Sequence, residues 1–184
     1  MSKLKCTLPL AVCALVLGAI AAPAPQASGY HLVKKITLGG EGGWDYLNAD
    51  PATHRVYISR SSHLMVLSPD GTVLGDIPNL QGTHGAALAP ELNHGYTTNG
   101  GSNSMTIFDL KTLTVIKDVK LTGADRPDGF LYDPGSGRVF SFNARSQDAT
   151  AVDAKTGDVA GSVPLGGKPE AATADGKGHV WVNI

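Results

Sequence analysis

The chain contains 184 residues, of which 15 are basic and 16 are acidic, so its formal charge is −1. Hydrophobic residues make up 42% and charged residues 17% of the sequence, which is typical of a globular protein and excludes an intrinsically disordered one. Nucleic acid is a disfavoured partner, because proteins that bind phosphate backbones carry a surplus of lysine and arginine. The 23 glycines and 11 prolines predict frequent turns and few long helices.

The N-terminal residues have the pattern of a secretory signal peptide over residues 1–21. Two lysines lie within Met1–Lys5, Cys6–Ala22 is almost entirely apolar, and Ala19-Ile20-Ala21 supplies small residues where a signal peptidase cleaves. A membrane-spanning helix needs about 20 apolar residues, so this shorter stretch, interrupted by Pro9, favours a cleaved signal over an anchor. We therefore expect a periplasmic or secreted protein with no membrane span after cleavage.

Signal cleavage is also expected to remove every cysteine of the chain. Both cysteines, Cys6 and Cys13, lie in the predicted signal. The mature chain is thus expected to have no disulfide and no cysteine-based metal site or nucleophile. Residues 22–30 are interpreted as a short flexible linker, and residues 31–184 as the folded domain.

A repeat of about 42 residues organises the folded domain. The segment that begins at Asp50 has counterparts beginning at Ala89, Asp133 and Asp175, so successive copies are 39, 44 and 42 residues apart. The copies divide the domain into units of about 31–80, 81–121, 122–165 and 166–184.

Each complete unit is predicted to contain four short strands. The segments are three to eight residues long, rich in β-branched residues and separated by dense turn signals. In the second unit the predicted strands are Ala86–Leu88, Gly95–Asn99, Met105–Leu110 and Thr114–Leu121. In the third unit they are Gly129–Tyr132, Arg138–Asn143, Ala149–Val152 and Asp158–Leu165.

Four antiparallel strands in each repeat of 40 to 45 residues are typical of a β-propeller blade. We therefore predict an all-β fold, a β-propeller of four-stranded blades with about three and a half blades present. Known propellers have four to eight blades, so the sequence is expected to be a truncated part of a longer chain. The N-terminal strand Leu32–Leu38 resembles the outer strand Val115–Leu121 and is expected to complete the last blade of the ring.

Short motifs in the repeats resemble those of a known family. Tyr96-Thr97-Thr98-Asn99, followed by Met105–Asp109, resembles the YVTN motif of exported β-propeller repeat proteins of the YncE-like family. Phe140–Asn143 and Val180–Asn183 look like further copies. The resemblance covers about residues 31–184 and implies an exported propeller, but it leaves function open, because such propellers serve in binding, scaffolding and catalysis.

One register position carries an ionisable side chain in every unit, five residues before the start of each repeat. First strands line the central channel of a propeller, so these side chains are expected to meet at one mouth of it. They suit a small ligand or, as an alternative, a divalent cation. Polar residues at such a mouth also serve simply as turn formers or bind water. The four residues are Asp45, His84, Asp128 and Glu170.

A second register position lies at the end of the second strand of each unit. It carries Arg60, Asn99, Asn143 and Asn183. Because the first two strands are antiparallel, each of these residues is expected to lie beside one member of the first set, in the order Asp45, His84, Asp128 and Glu170.

Three histidines, His54, His94 and His179, fall in turns at the opposite mouth.

Several functions remain open at this stage. The first is an exported binding or scaffold module that holds a small molecule, a peptide or a protein at one channel mouth, and that is monomeric when full length. The alternative is a divalent-metal-dependent, lactonase-like hydrolase that uses the carboxylate and histidine ring. A quinoprotein-related propeller is a third possibility, without thioether attachment of a cofactor. Whether the protein is catalytic, and which cofactor it holds beyond a candidate divalent cation, is not settled by the sequence.

Overall fold

The computed structural model describes residues 29–184, so the predicted signal peptide, both cysteines and most of the linker lie outside the described residues. The chain divides into two compact units, Met1–Thr37 and Leu38–Ile184. Among the described residues of the first unit, none is in a helix or strand. The predicted strand over Leu32–Leu38 is therefore not formed here, and Leu32 and Val33 are 81% and 86% exposed. A strand needs a neighbour for its backbone hydrogen bonds, and ring closure by this segment stays a prediction.

The second unit is built entirely from short antiparallel sheets. Among residues 38–184 there are three four-stranded sheets and one two-stranded sheet, each with its strands in chain order. The first sheet contains β1 (Leu47–Ala49), β2 (Val56–Ser59), β3 (Leu64–Leu67) and β4 (Val73–Ile77). The second contains β5 (Ala87–Ala89), β6 (His94–Asn99), β7 (Ser104–Asp109) and β8 (Val115–Lys120). The third contains β9 (Pro127–Asp133), β10 (Arg138–Asn143), β11 (Asp148–Asp153) and β12 (Val159–Pro164), and the last contains β13 (Ala172–Ala174) and β14 (Val180–Val182).

The prediction of three and a half four-stranded blades is confirmed. A single 3₁₀ turn, Pro90–Leu92, is the only helical element in the described part of the chain. No helix among residues 29–184 combines the length and the hydropathy needed to cross a membrane.

In the second and third sheets, an aspartate stabilises the turn between the third and fourth strands. Asp109 Oδ1 accepts hydrogen bonds from the backbone N–H groups of Lys111 and Thr112, both at 2.8 Å. Asp153 Oδ1 accepts the equivalent bonds from Lys155 and Thr156, at 3.0 and 2.8 Å. These backbone donors, chiefly the threonine N–H groups, hold the pKa of both carboxyls below its usual range. The Asp-x-Lys-Thr sequence thus marks the hairpins of the second and third sheets, because the carboxylate satisfies two backbone donors.

The hydrophobic core lies between neighbouring sheets. One cluster joins the first and second sheets and includes Tyr57, Leu64, Ile77 and Phe108. A second joins the second and third sheets. A blade with two apolar faces can bury both of them only against its neighbours, which is why the sheets stack. The buried members of the second cluster include Tyr96, Met105, Ile107, Val119, Val139 and Val152.

Hydrogen bonds between blades add direction to this packing. The buried Tyr96 hydroxyl donates to the Ala154 carbonyl at 2.6 Å, from the second sheet to the third. Arg55 Nη1 donates to the Leu110 carbonyl at 2.8 Å, from the first blade to the second. These hydrogen bonds are directional, so they fix the orientation of each blade relative to the next. Apolar contacts are not directional and would not fix it alone.

We expect Tyr96→Phe to lower the free energy of unfolding by about 1 kcal/mol, because it removes the buried hydroxyl bond to the Ala154 carbonyl and leaves only the His94 contact there. Tyr132→Phe is the matched control, since the Tyr132 hydroxyl donates to Glu91 at the surface. Urea denaturation of both variants measures the difference. Equal losses in the two variants would contradict a special role for the buried bond.

Candidate functional site

The residues of the first register lie at one end of the first strands. Asp45 precedes β1, His84 precedes β5, Asp128 is the second residue of β9 and Glu170 precedes β13. Backbone bonding draws the first two segments together, since the Tyr46 N–H donates to the His84 carbonyl at 2.9 Å. The Thr98 hydroxyl donates to the Asp128 carbonyl at 2.6 Å and ties the second blade to the third.

Three of the four side chains meet directly. His84 Nδ1 lies 2.8 Å from Asp45 Oδ2 and 3.3 Å from Asp128 Oδ1. One potential ligand atom from each residue lies within 4.8 Å of the other two. Asp45 is exposed, His84 is half-buried and Asp128 is buried at 7% exposure. One imidazole therefore lies between two carboxylates that come from different blades, and the three residues form what we call the Asp45–His84–Asp128 cluster.

Glu170 lies beside this cluster and is joined to it by Tyr46. The Tyr46 hydroxyl donates to Glu170 Oε1 at 3.0 Å, and Lys168 Nζ lies 3.4 Å from Glu170 Oε2. Sequence reasoning missed Tyr46. Its signal is its register: the position after the first-register residue is occupied by Gly85, Gly129 and Ala171 in the other units, and here by a phenol.

The pKa values at the site follow from burial and from crowding of negative charge. Burial raises the pKa of Asp128, and the carboxylates of Glu170 and Asp45 add to this, while His84 and Arg126 oppose it. Burial, the hydrogen bond to Glu170 and the nearby carboxylates raise the pKa of Tyr46 to about 12. The phenol therefore stays a proton donor to Glu170 at neutral pH, and Asp128 releases its proton less readily than an isolated aspartate does.

The second register lies beside the first along the backbone, because Asn99 forms a bridge with Thr83 and Asn143 pairs with Pro127. The Asn99 and Asn143 side chains nevertheless make their hydrogen bonds elsewhere. The Asn99 amide donates to Ser104 Oγ at 3.2 Å and to Thr106 Oγ1 at 2.9 Å, within its own sheet. Both asparagines are buried, at 2% and 0% exposure. A buried amide must have its donors satisfied, and the neighbouring hairpin strand supplies acceptors that the channel mouth does not.

The Arg60 and Asn183 side chains also make their hydrogen bonds elsewhere, although Asn183 is a neighbour of Glu170, whose N–H donates to the Asn183 carbonyl at 3.4 Å. The Arg60 guanidinium donates to the carbonyls of Gly39, Gly40, Glu41 and Gly42 at 2.9–3.3 Å. It thereby holds the glycine-rich segment 39–42, because several carbonyls of one short segment can converge on one guanidinium. Asn183 Oδ1 accepts the Ala171 N–H at 2.6 Å and supports the segment that carries Glu170.

The other end of the blades holds the three turn histidines. His54 and His94 lie in or beside the turns between the first two strands, and His94 Nδ1 lies 3.2 Å from the Ala154 carbonyl. His179 Nδ1 lies 2.9 Å from Asp175. A cavity of about 310 Å³ is lined by residues of β1, β5 and β9 and by the turn residues that directly follow β1 and β5. The first strands of three blades therefore face one shared space.

The chemistry of the Asp45–His84–Asp128 cluster suits a divalent cation. Carboxylate oxygens and an imidazole nitrogen are the donor set that Zn²⁺ and Mn²⁺ accept in proteins. The donor atoms already lie as close together as the ligands of one ion. Without a cation, the same groups can accept hydrogen bonds from an amine or hydroxyl of a small ligand.

Comparison with known proteins identifies the fold. No protein-family model matches the sequence, and no curated protein matches it either. Among solved structures, Kuenenia stuttgartiensis hydrazine synthase is similar with a TM-score of 0.66 and 15% identity, over 78% of this chain and 42% of that one. A streptogramin B lyase structure aligns with a TM-score of 0.63 and 14% identity, over 77% and 48%. The WD40 repeats of RRP9 align with a TM-score of 0.62 and 12% identity, over 73% and 43%.

These likenesses are too distant in sequence to carry activity, and they establish architecture alone. The chain spans less than half the length of each of the three structures. Its three complete four-stranded sheets and the half sheet that follows match successive blades of a propeller. The chain has a β-propeller fold.

Proposed function

We propose that the chain is an exported YVTN-repeat, YncE-like β-propeller that binds a ligand at the channel mouth carrying Asp45, His84, Asp128 and Glu170. One observation carries the proposal: three side chains from three different blades converge, with His84 Nδ1 2.8 and 3.3 Å from two carboxylate oxygens. Hairpin turns and blade packing do not require such a convergence. A buried carboxyl group with a raised pKa, as at Asp128, beside other ionisable side chains is typical of binding sites.

The assignment to the YVTN type is supported by the shared role of Asn99 and Asn143. In both blades the asparagine accepts a hydroxyl from two residues earlier and donates to side chains five and seven residues later. The motif thus has one structural job that repeats from blade to blade. Export to the periplasm or secretion is part of the proposal and rests on the pattern of residues 1–21.

A second candidate function is a divalent-metal-dependent hydrolase of the lactonase type. It is favoured by the donor atoms of Asp45, His84 and Asp128, which lie within 4.8 Å of one another. A cation held there would polarise a substrate carbonyl, and Glu170, held outside the cluster by Tyr46 at 3.0 Å, would be the available base.

Titration with Mn²⁺ alone tests the mouth as a binding site. We expect Asp128→Ala with Glu170→Ala to weaken Mn²⁺ binding at least tenfold, because two of the carboxylates near the cation are lost. Replacing His54, His94 and His179 by alanine is the control at the opposite end and should change the affinity less than twofold.

Isothermal titration calorimetry of the purified protein gives both affinities. Loss of Mn²⁺ binding in the histidine variant, with binding kept in the carboxylate variant, would contradict a site at the mouth that carries Asp128 and Glu170. A wild-type protein that binds no divalent cation would eliminate the hydrolase candidate.

A further inference from the structure

We infer that Arg60 is a positioning residue of the candidate site. Its guanidinium holds the segment before Asp45 and thereby places the Asp45 carboxylate in the Asp45–His84–Asp128 cluster. This role rests on the proposed function and adds a residue that acts on the site through another one. Arg60 departs from the repeat, because the same position carries asparagine in the other three units. The need to fix the segment before Asp45 explains that departure.

Asp45 is the member of the cluster that packing and secondary structure hold least. It lies outside any strand, two residues before β1, whereas Asp128 belongs to β9. Its side chain is 46% exposed, compared with 15% for His84 and 9% for Asp128. A half-exposed side chain has little packing to place it. Its backbone must therefore be fixed if its carboxylate is to stay 2.8 Å from His84 Nδ1.

The second and third blades hold the equivalent segment with backbone hydrogen bonds. In the second blade the Gly101 N–H donates at 2.9 Å to the Gln81 carbonyl, three residues before the first-register position. In the third blade the Arg145 N–H donates at 3.1 Å to the Asp125 carbonyl, at the same distance in sequence. Both donors lie in the hairpin between the second and third strands, where four residues join the last paired positions. This hairpin is long enough to reach the segment.

The first blade holds its segment differently, because the same hairpin is two residues shorter there. The Arg60 N–H donates to the His63 carbonyl at 2.9 Å, so two residues close the turn. The Ser62 N–H, like the donors of the other two blades, comes two residues after the second-register position. It donates instead to the Arg60 carbonyl at 2.6 Å, within the hairpin. The Gly42 carbonyl, three residues before Asp45, is therefore left for another donor.

The Arg60 guanidinium supplies that donor. Its Nη2 donates to the Gly42 carbonyl at 3.3 Å, and its two terminal nitrogens also donate to the carbonyls of Gly39, Gly40 and Glu41 at 2.9–3.2 Å. The residue is only 9% exposed, so these bonds are largely shielded from water. An asparagine amide has two donor hydrogens and a shorter reach, whereas a guanidinium has five. Arginine can therefore hold a segment that asparagine cannot.

The end of β2 holds the segment at a second point, next to Asp45 itself. The Asp45 N–H donates to Ser59 Oγ at 3.0 Å. A Cβ added to Gly42 would stand 2.1 Å from the Arg60 carbonyl oxygen, so the segment also lies directly against the backbone of Arg60. Loss of the guanidinium would leave Asp45 on a segment that is fixed at one end only. The carboxylate would then spend less time within reach of a cation bound to His84.

Mn²⁺ titration by calorimetry of Arg60→Ala, Asp45→Ala and the double variant tests this role. We expect Arg60→Ala to weaken Mn²⁺ binding about tenfold, as is typical when a residue that orients a metal ligand is lost. In the Asp45→Ala background the same substitution should change the affinity less than about twofold, because no carboxylate is left to place. A purely electrostatic effect would have the opposite sign, since removal of a positive charge strengthens the binding of a cation.

Arg55→Ala is the matched control, because Arg55 is an arginine of the same blade that donates to the Leu110 carbonyl at the opposite end. It should keep the Mn²⁺ affinity within about twofold of wild type, whatever stability it loses. Gly42→Ala disturbs the same contact without removing the guanidinium and should also weaken Mn²⁺ binding. Gly39→Ala should not, because a Cβ there meets nothing within 4 Å. The glycine pair decides the matter if Arg60→Ala does not fold.

The outcomes separate this role from the proposed function. Unchanged or tighter Mn²⁺ binding in the Arg60→Ala and Gly42→Ala variants would overturn the role of Arg60 while the cation site stands. An equal loss in Arg55→Ala, or an undiminished effect of Arg60→Ala in the Asp45→Ala background, would overturn it as well. Absence of Mn²⁺ binding to the wild-type protein would instead defeat the cation site, and the role of Arg60 with it.

Discussion

Replacing Asn143 by alanine is expected to lower the free energy of unfolding by about 3 kcal/mol. The Asn143 amide donates to Asp148 Oδ1 at 2.8 Å and to Thr150 Oγ1 at 2.9 Å, and it accepts the Ser141 hydroxyl at 2.8 Å. Ser141 and Thr150 are as deeply buried as Asn143 itself. Truncation leaves these buried hydroxyls without partners, and the cost of an unsatisfied buried group exceeds the value of the bond that it lost.

The chain supplies a matched control at the same repeat position. Asn183 is exposed and makes a single side-chain bond, to the Ala171 N–H, so Asn183→Ala should cost less than about 1 kcal/mol. Urea denaturation of the two variants gives the comparison. Similar losses would mean that the asparagine acts through the local hairpin conformation and not through the buried network.

Replacing Gly129 by alanine is expected to cost about 3 kcal/mol and to move Glu170 away from Tyr46. A Cβ at Gly129 would stand 1.9 Å from the Glu170 carbonyl oxygen, which is a backbone atom that no side-chain rotation can clear. The third blade must then separate from the segment before β13. The 3.0 Å bond from the Tyr46 hydroxyl to Glu170 depends on that segment, so the variant should lose both packing and one edge of the candidate site.

Gly39→Ala is the control for this substitution, because a Cβ at Gly39 meets nothing within 4 Å. Thermal unfolding gives the stability of each variant, and hydrogen exchange at Ala171–Ala174 shows whether the fourth unit has loosened. Normal protection of those amides in the Gly129 variant would contradict the expected separation.

The strand pattern was predictable because local chemistry determines it. The strand Arg138–Asn143 has the predicted bounds, and the other strands of the second and third units differ from prediction by one or two residues. Asp109 and Asp153 mark their hairpins with bonds to backbone donors two and three residues later. Signals of this kind lie within a few residues of sequence, so they can be read without knowing which blades are neighbours.

The first register was predictable for a different reason. Residues at one repeat position share one place in each blade, so their convergence follows from the period alone. What each side chain contacts does not follow. Asn99 and Asn143 face inward because their own hairpins supply acceptors, and Arg60 follows the carbonyls of the preceding loop. Tyr46 acts on Glu170 across blades, and such pairs have no fixed spacing in sequence.

The Asp45–His84–Asp128 cluster draws one residue from each of three consecutive blades, so its dimensions depend on the angle between blades. The blades of a closed propeller divide one full turn among them, and a ring with more blades surrounds a wider channel. Duplication or deletion of a repeat far from the cluster would therefore lengthen or shorten the distances between the donor atoms of the cluster. None of the three residues would itself be changed. Gain or loss of a blade, which repeat proteins undergo readily, would thus act on this site as a substitution does.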